Sequence, residues 1–122
     1  MSGRSIRGKV AIAGIGESTY YKHGQSPDAE LVLLLQAILR AAEDAGIEPH
    51  EIDGFASYSN DRNDPSRIAA ALGIPDLRFS NMHWGGGGGG VAAAVANGAA
   101  AVAEGYADCV VVFRALAQGQ FR

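Results

Sequence analysis

Apolar residues along this chain fall into short blocks that alternate between two periodicities. Lys9-Val-Ala-Ile-Ala-Gly-Ile-Gly16 is a brief apolar run closed by glycines, the pattern of a central parallel strand buried on both faces. Ser26-Pro27 then places a capping residue before a proline suited to a first helical position, and Asp28 and Glu30 follow in the first turn. Gly46 closes the far end, so the spacing predicts a helix over 27–45. Its stripe of Leu31, Leu34, Leu35, Ile38, Ala42 and Ala45 has the spacing of a helix face lying on a sheet. A second strand is expected over 52–58, a polar loop over 60–65, a short helix over 66–72 stopped by Gly73 and Pro75, and a third strand over 77–82. A six-glycine run follows at 85–90. Beyond it come a helix over 91–105, apolar all round until Glu104, and a fourth strand over 108–114. This βαβαβαβ order predicts an α/β fold, layered α/β/α, with a mostly parallel sheet.

Composition sharpens that picture. Glycine contributes 17 of 122 residues and alanine 22, so about a third of the chain carries almost no side chain. Such residues suit close backbone approach more than a bulky core. A helix with no polar face has to be covered on every side, yet a chain of this length buries only about 65% of its surface. The expectation is therefore part of a longer protein, or one half of an obligate assembly.

Charge and cysteine content exclude several classes. The formal net charge of −3, with no cluster of Lys or Arg, argues against a surface that tracks phosphates, so nucleic acid is not an expected partner. The apolar stretch at 85–103 is Gly and Ala with few larger aliphatics, which reads as a buried helix and not a membrane span. A single cysteine excludes an internal disulfide and a cysteine-based zinc site within the chain, so no metal is expected and the reducing cytoplasm is the default location.

The order of several segments resembles a known family. Lys9-Val-Ala-Ile-Ala-Gly-Ile-Gly-Glu-Ser-Thr19, a helix ending Ala41-Ala-Glu-Asp-Ala-Gly-Ile47, and Glu51-Ile-Asp-Gly-Phe55 look like the opening of a thiolase-superfamily protein of the lipid-transfer, or sterol-carrier-protein, branch. Ala70-Ala-Ala-Leu-Gly-Ile-Pro75, the glycine turn into an Ala-rich helix, and Ala103-Glu-Gly-Tyr-Ala-Asp-Cys-Val-Val-Val112 extend the likeness over nearly the whole chain. The resemblance implies that residues 1–122 are the N-terminal part of a thiolase-like domain.

In that superfamily the turn before the long helix carries a nucleophilic cysteine, activated by the helix N-terminus. Here the turn reads His83-Trp-Gly-Gly-Gly-Gly-Gly-Gly-Val91, and the nucleophile's place falls near Gly88. Without it there is no acyl-enzyme route at this site. Asn60-Asp-Arg-Asn-Asp64 and Val112-Phe-Arg-Ala115 look closer to members that act as retro-aldolases on hydroxyacyl-CoA thioesters, with a steroid or lipid side chain, beside a small zinc-ribbon and OB-fold partner. The resemblance also implies a homodimer formed through the third strand, Arg78-Phe-Ser-Asn-Met82. No cofactor is implied; coenzyme A enters as the thioester of the substrate. Thiolase-type acyl transfer, and a non-catalytic subunit that binds lipid or acyl-CoA, stand as alternatives.

The expected substrate-binding residues are His83, Trp84, Gly87, Gly88 and Gly89, with His83 the one titratable side chain next to the turn and a weak catalytic candidate. His83 and Trp84 either cap the strand end or line an acyl-CoA cavity. The glycine run is either a linker or an ordered turn whose N–H groups meet a thioester oxygen. Gly14-Ile-Gly16 matches only part of a dinucleotide fingerprint, since the third glycine is absent. Cys109 reads as a buried, inert thiol. Residues 61–64 read as a solvated loop, or as a contact to the site or to a partner.

Overall fold

The computed structural model describes residues 5–59, 61–85 and 87–117. Helix α1 (Glu30–Ala45) is followed by strand β1 (Gly54–Tyr58), helix α2 (Pro65–Leu72), strand β2 (Phe79–His83), helix α3 (Gly90–Ala103) and strand β3 (Val110–Val112). The strands form one parallel sheet in the order β2-β1-β3. Gly54 stands beside Phe79 and Val110, and Tyr58 beside His83. Because side chains alternate along β1, Phe55 faces one layer of helices and Gly54, Ala56 and Tyr58 face the other.

The first layer is the apolar core. Leu34 and Ile38 of α1 and Ile68 and Ala69 of α2 close over Ile52, Phe55 and Phe113. The rings of Phe55 and Phe113 meet edge to face, with centroids 6.0 Å apart. On the opposite face α3 lies unusually close to the sheet. A Cβ added to Gly98 would stand 3.0 Å from Val112 Cγ2, so glycine here is what lets the helix backbone approach. Gly90, Ala94, Gly98 and Ala101 are buried, while Val91 and Val95 on the other side of α3 remain exposed.

Three expectations are corrected. The first concerns residues 9–16, which form no strand. This segment runs along α1, where added Cβ atoms at Gly14 would meet the Ala41 carbonyl at 2.6 Å and the Ala45 amide at 2.8 Å. Asp44 accepts from the Ile15 amide (2.9 Å), and Arg40 donates to the Glu17 carbonyl (2.8 Å). Only one face of the segment is covered: Ile12 and Ile15 are 80% and 77% exposed. A strand needs a ladder partner as well as an apolar pattern, and β3 pairs with β1 instead.

The second correction is that α1 starts at Glu30, not at 27. The Ser26 hydroxyl accepts from the Asp28 amide and donates to the Asp28 carbonyl, closing a local turn that competes with the helix. Third, the loop after β1 is only partly solvated: Arg62 and Asp64 are exposed, whereas Asp61 and Asn63 are half-buried. Asp61 accepts from the Ala115 amide (2.9 Å), and Asn63 donates to Glu30 (3.1 Å), whose other oxygen accepts from the Ala117 amide (3.0 Å). Two carboxylates thus fasten the chain leaving β3. Asp64 caps α2 by accepting from Ser66 N. Asn60 and Gly86, which belong to the singled-out motifs, lie outside the described residues.

Candidate functional site

In a parallel sheet the C-terminal ends of the strands lie together, where the connecting turns leave backbone groups free for ligands. Here those ends carry Tyr58 and Ser59 from β1, His83 and Trp84 from β2, and Arg114 just after β3. The glycine run crosses the same end. Gly85 turns the chain with φ 76°, Gly87–Gly89 form one turn of 3₁₀ helix, and α3 begins at Gly90. The described glycines, 85 and 87–90, therefore form a turn and a helix start.

The glycines of this turn are not equivalent. A Cβ at Gly90 would come 2.9 Å from Tyr58 Cδ2, 3.0 Å from Ser59 Oγ and 3.2 Å from the Gly85 carbonyl oxygen. Only glycine fits there without displacement. Cβ atoms added to Gly88 and Gly89 meet nothing within 4 Å. The place expected of a nucleophile thus has room for a side chain and carries none. Gly89 caps α3 without a side-chain acceptor, so the helix opens with no capping side chain and with the positive end of its dipole at this end of the sheet.

Around the turn, His83 ends β2 half-buried, and its carbonyl accepts from the Ser59 amide at 3.0 Å. Trp84 is 70% exposed beside Gly85. His83, Trp84 and Gly87–Gly89 all lie at this end of the sheet, in the connection from β2 to α3. Tyr58, Ser59 and Arg114 belong to the same place and were missed as site residues. Arg114 belongs to the segment Val112-Phe-Arg-Ala115, but nothing in the sequence links it to residue 59.

Cys109 sits at the opposite end of the sheet, before β3, half-buried where the sequence predicts full burial. Burial pushes its thiol above the ordinary cysteine value, and the negative charges of Asp53, Glu51 and Asp108 add to the effect. Asp53 accepts from the Cys109 amide (2.9 Å) and the Asp108 amide (3.0 Å). This thiol faces neither the turn nor the α3 N-terminus. A shallow cavity of about 240 Å³ lies elsewhere again, on the flank formed by β2 and α3, lined by Phe79, Asn81, Asn97, Ala100, Ala101, Glu104 and Tyr106. Asn97 donates to Asn81 across it at 2.8 Å. Among the described residues no group of three His, Cys, Asp or Glu side chains converges to hold a metal, and no helix is long and apolar enough to cross a membrane.

No protein-family model matches the chain. It is 41% identical over 111 residues to a 17-hydroxy-3-oxo-4-pregnene-20-carboxyl-CoA lyase of Mycobacterium tuberculosis, covering 90% of this chain and 28% of that one. It is 40% identical to a steroid side-chain-cleaving aldolase of Thermomonospora curvata over the same share of this chain and 27% of the relative. The chain thus spans little more than a quarter of the length of these curated relatives. Among solved structures it superposes on an Ltp2-ChsH2 aldolase with a TM-score of 0.81 at 37% identity, over 92% of this chain and 28% of that one. The 3-oxoacyl-[acyl-carrier-protein] synthase III of Aquifex aeolicus shares the fold at 17% identity and a TM-score of 0.58, over 71% of this chain and 29% of that one. In sequence these residues are similar to little more than a quarter of the steroid side-chain-cleaving aldolases, and they share the layered α/β fold of the 3-oxoacyl-[acyl-carrier-protein] synthase III.

Proposed function

We propose that this chain, together with chain or partner beyond these residues, cleaves a C–C bond of a β-hydroxyacyl-CoA carrying a steroid or lipid side chain by a retro-aldol reaction. The observation that carries the reading is the turn at 85–90: an ordered helix N-terminus with open space at Gly88 and Gly89 and no nucleophile. Such a surface cannot hold an acyl group covalently, but its amides suit an oxygen on which negative charge develops. A general base removes the proton of the β-hydroxyl, whose O–H electrons become the new C=O. The Cα–Cβ bond breaks, and its electrons pass to the thioester as an enolate. The enolate oxygen rests at the α3 N-terminus until an acid delivers a proton to Cα. The products are a carbonyl compound and a shortened acyl-CoA. The acid and base come from outside the described residues, while His83 and Trp84 flank the substrate.

The relatives' names support this substrate class, and the Ltp2-ChsH2 structure supports a second polypeptide, for which we propose a zinc-ribbon and OB-fold protein. We also propose a homodimer through the free edge of β2, with the apolar flank of α3 beside it; unpaired strand groups next to exposed Val91, Val95 and Tyr106 support that face. The single thiol suits the reducing cytoplasm. The test gives the purified protein, with its partner, a β-hydroxyacyl-CoA, and separately a β-ketoacyl-CoA with free CoA. A carbonyl product from the first and none from the second is expected. CoA-dependent thiolysis through a trapped acyl-enzyme would overturn the reading.

A further inference from the structure

Ser59 is tied to all three strand ends and to the glycine turn at once. Its amide donates to the His83 carbonyl of β2 (3.0 Å), its carbonyl accepts from Arg114 Nη2 after β3 (3.0 Å), and its hydroxyl donates to the Gly85 carbonyl (3.3 Å). It holds φ 52°, the left-handed region, alone among the described non-glycine residues. A serine adopts that conformation at a cost, which persists where the surroundings over-determine it. They do so here. The Arg114 guanidinium stands 5.8 Å from the centroid of the Tyr58 ring, the residue before, and the Tyr58 ring and Ser59 Oγ both touch the α-carbon space of Gly90. Arg114 Nε is buried with no partner among the described residues, a cost accepted to keep the guanidinium over the ring while one arm reaches the Ser59 carbonyl.

We infer that Ser59 and Arg114 are positioning residues that set the height and tilt of the α3 N-terminus. The Ser59 hydroxyl pins the entry of the turn at Gly85, and the Ser59 and Tyr58 side chains fix its exit at Gly90. The backbone of Gly87–Gly89 between them is then held in place without any side chain of its own. This rests on the retro-aldol reading for its catalytic consequence, though not for its structural part. An oxygen acceptor site built from backbone works only if the backbone is preorganised, since a misplacement of about 1 Å can cost on the order of a hundredfold in rate.

Three variants of the protein with its partner test the inference. Ser59→Gly relaxes the left-handed backbone and removes the side chain with its hydroxyl; Ser59→Asn tolerates the same φ and restores a donor; Arg114→Lys keeps the charge but loses the planar fork. We expect Ser59→Gly to lower kcat about tenfold or more while KM changes less than about twofold, the mark of an interaction made in the transition state. Amide hydrogen exchange over 85–91 should speed up about tenfold, with exchange in α1 unchanged. Ser59→Asn should recover part of both, and Arg114→Lys should show the same pattern more weakly. Wild-type kcat, or wild-type protection of the turn, in Ser59→Gly overturns the inference. If Ser59→Gly fails to fold, Ser59→Asn and Arg114→Lys carry the same test. If the unaltered complex cleaves no β-hydroxyacyl-CoA, the retro-aldol reading fails by itself, and exchange at the turn still decides whether Ser59 holds it.

Discussion

The two ends of the parallel sheet solve the same problem in opposite ways. At the N-terminal end Asp53 gathers the amides of Asp108 and Cys109, and Arg78 ties Asp53 and Asp108 (3.3 Å each) to the Gly105 carbonyl (3.0 Å). Backbone groups there are satisfied by charged side chains. At the C-terminal end the glycines offer a helix start with no side-chain cap, space at Gly88 and Gly89, and a brace made by Ser59 and Arg114 from behind. One end is closed with side chains and the other is kept open by omitting them. An end whose charged side chains bond its backbone holds the sheet together; an end without them leaves space beside a helix N-terminus.

The contrast predicts its largest effect for Asp53→Ala. With the carboxylate only 14% exposed, its removal strands the Cys109 amide and frees Arg78, and we expect a loss of about 3 kcal/mol by denaturant unfolding. A loss below about 1 kcal/mol would mean that the N-terminal end is not the clamp. Next in size is Gly90→Ala, where the new methyl meets the Tyr58 ring and Ser59 Oγ. About 2 kcal/mol should be lost, against less than about 0.5 kcal/mol for Gly88→Ala at the open position. Equal costs at both positions would erase the distinction between obligate and spare glycines.

Gly88→Cys sharpens the comparison by placing one thiol at each end of the sheet. The helix N-terminus favours thiolate at 88, whereas burial and nearby carboxylates favour the protonated thiol at Cys109. At neutral pH iodoacetamide should therefore modify position 88 more than about tenfold faster. Because the Cys109 thiol titrates above its ordinary value, its labelling should rise only at higher pH than that of a free cysteine, as mass spectrometry of the labelled peptides will show. The smallest effect belongs to Asp108→Asn. That side chain is 85% exposed, so its pairing with Arg78 is screened, and stability should change by less than about 0.5 kcal/mol.

What was legible in the sequence was whatever depends on near neighbours. The α1 stripe of Leu34 and Ile38, the closing glycines 46 and 73, and the cysteine-free turn into a small-residue helix all follow from periodicity and local backbone preference, and they appear as expected. The order of such segments also sufficed to indicate the thiolase-like framework and the steroid aldolases within it. What only the tertiary structure decided was non-local. The apolar run at 9–16 has a strand's pattern but no ladder partner among the described residues, because a pattern states which faces want burial and not which chain supplies the hydrogen bonds. Six consecutive glycines are identical as letters. The Tyr58 ring and Ser59 Oγ, more than 30 positions earlier, make Gly90 obligatory and leave Gly88 and Gly89 free. Ser59 and Arg114, 55 positions apart, acquire a shared role only when parallel pairing brings their strand ends together.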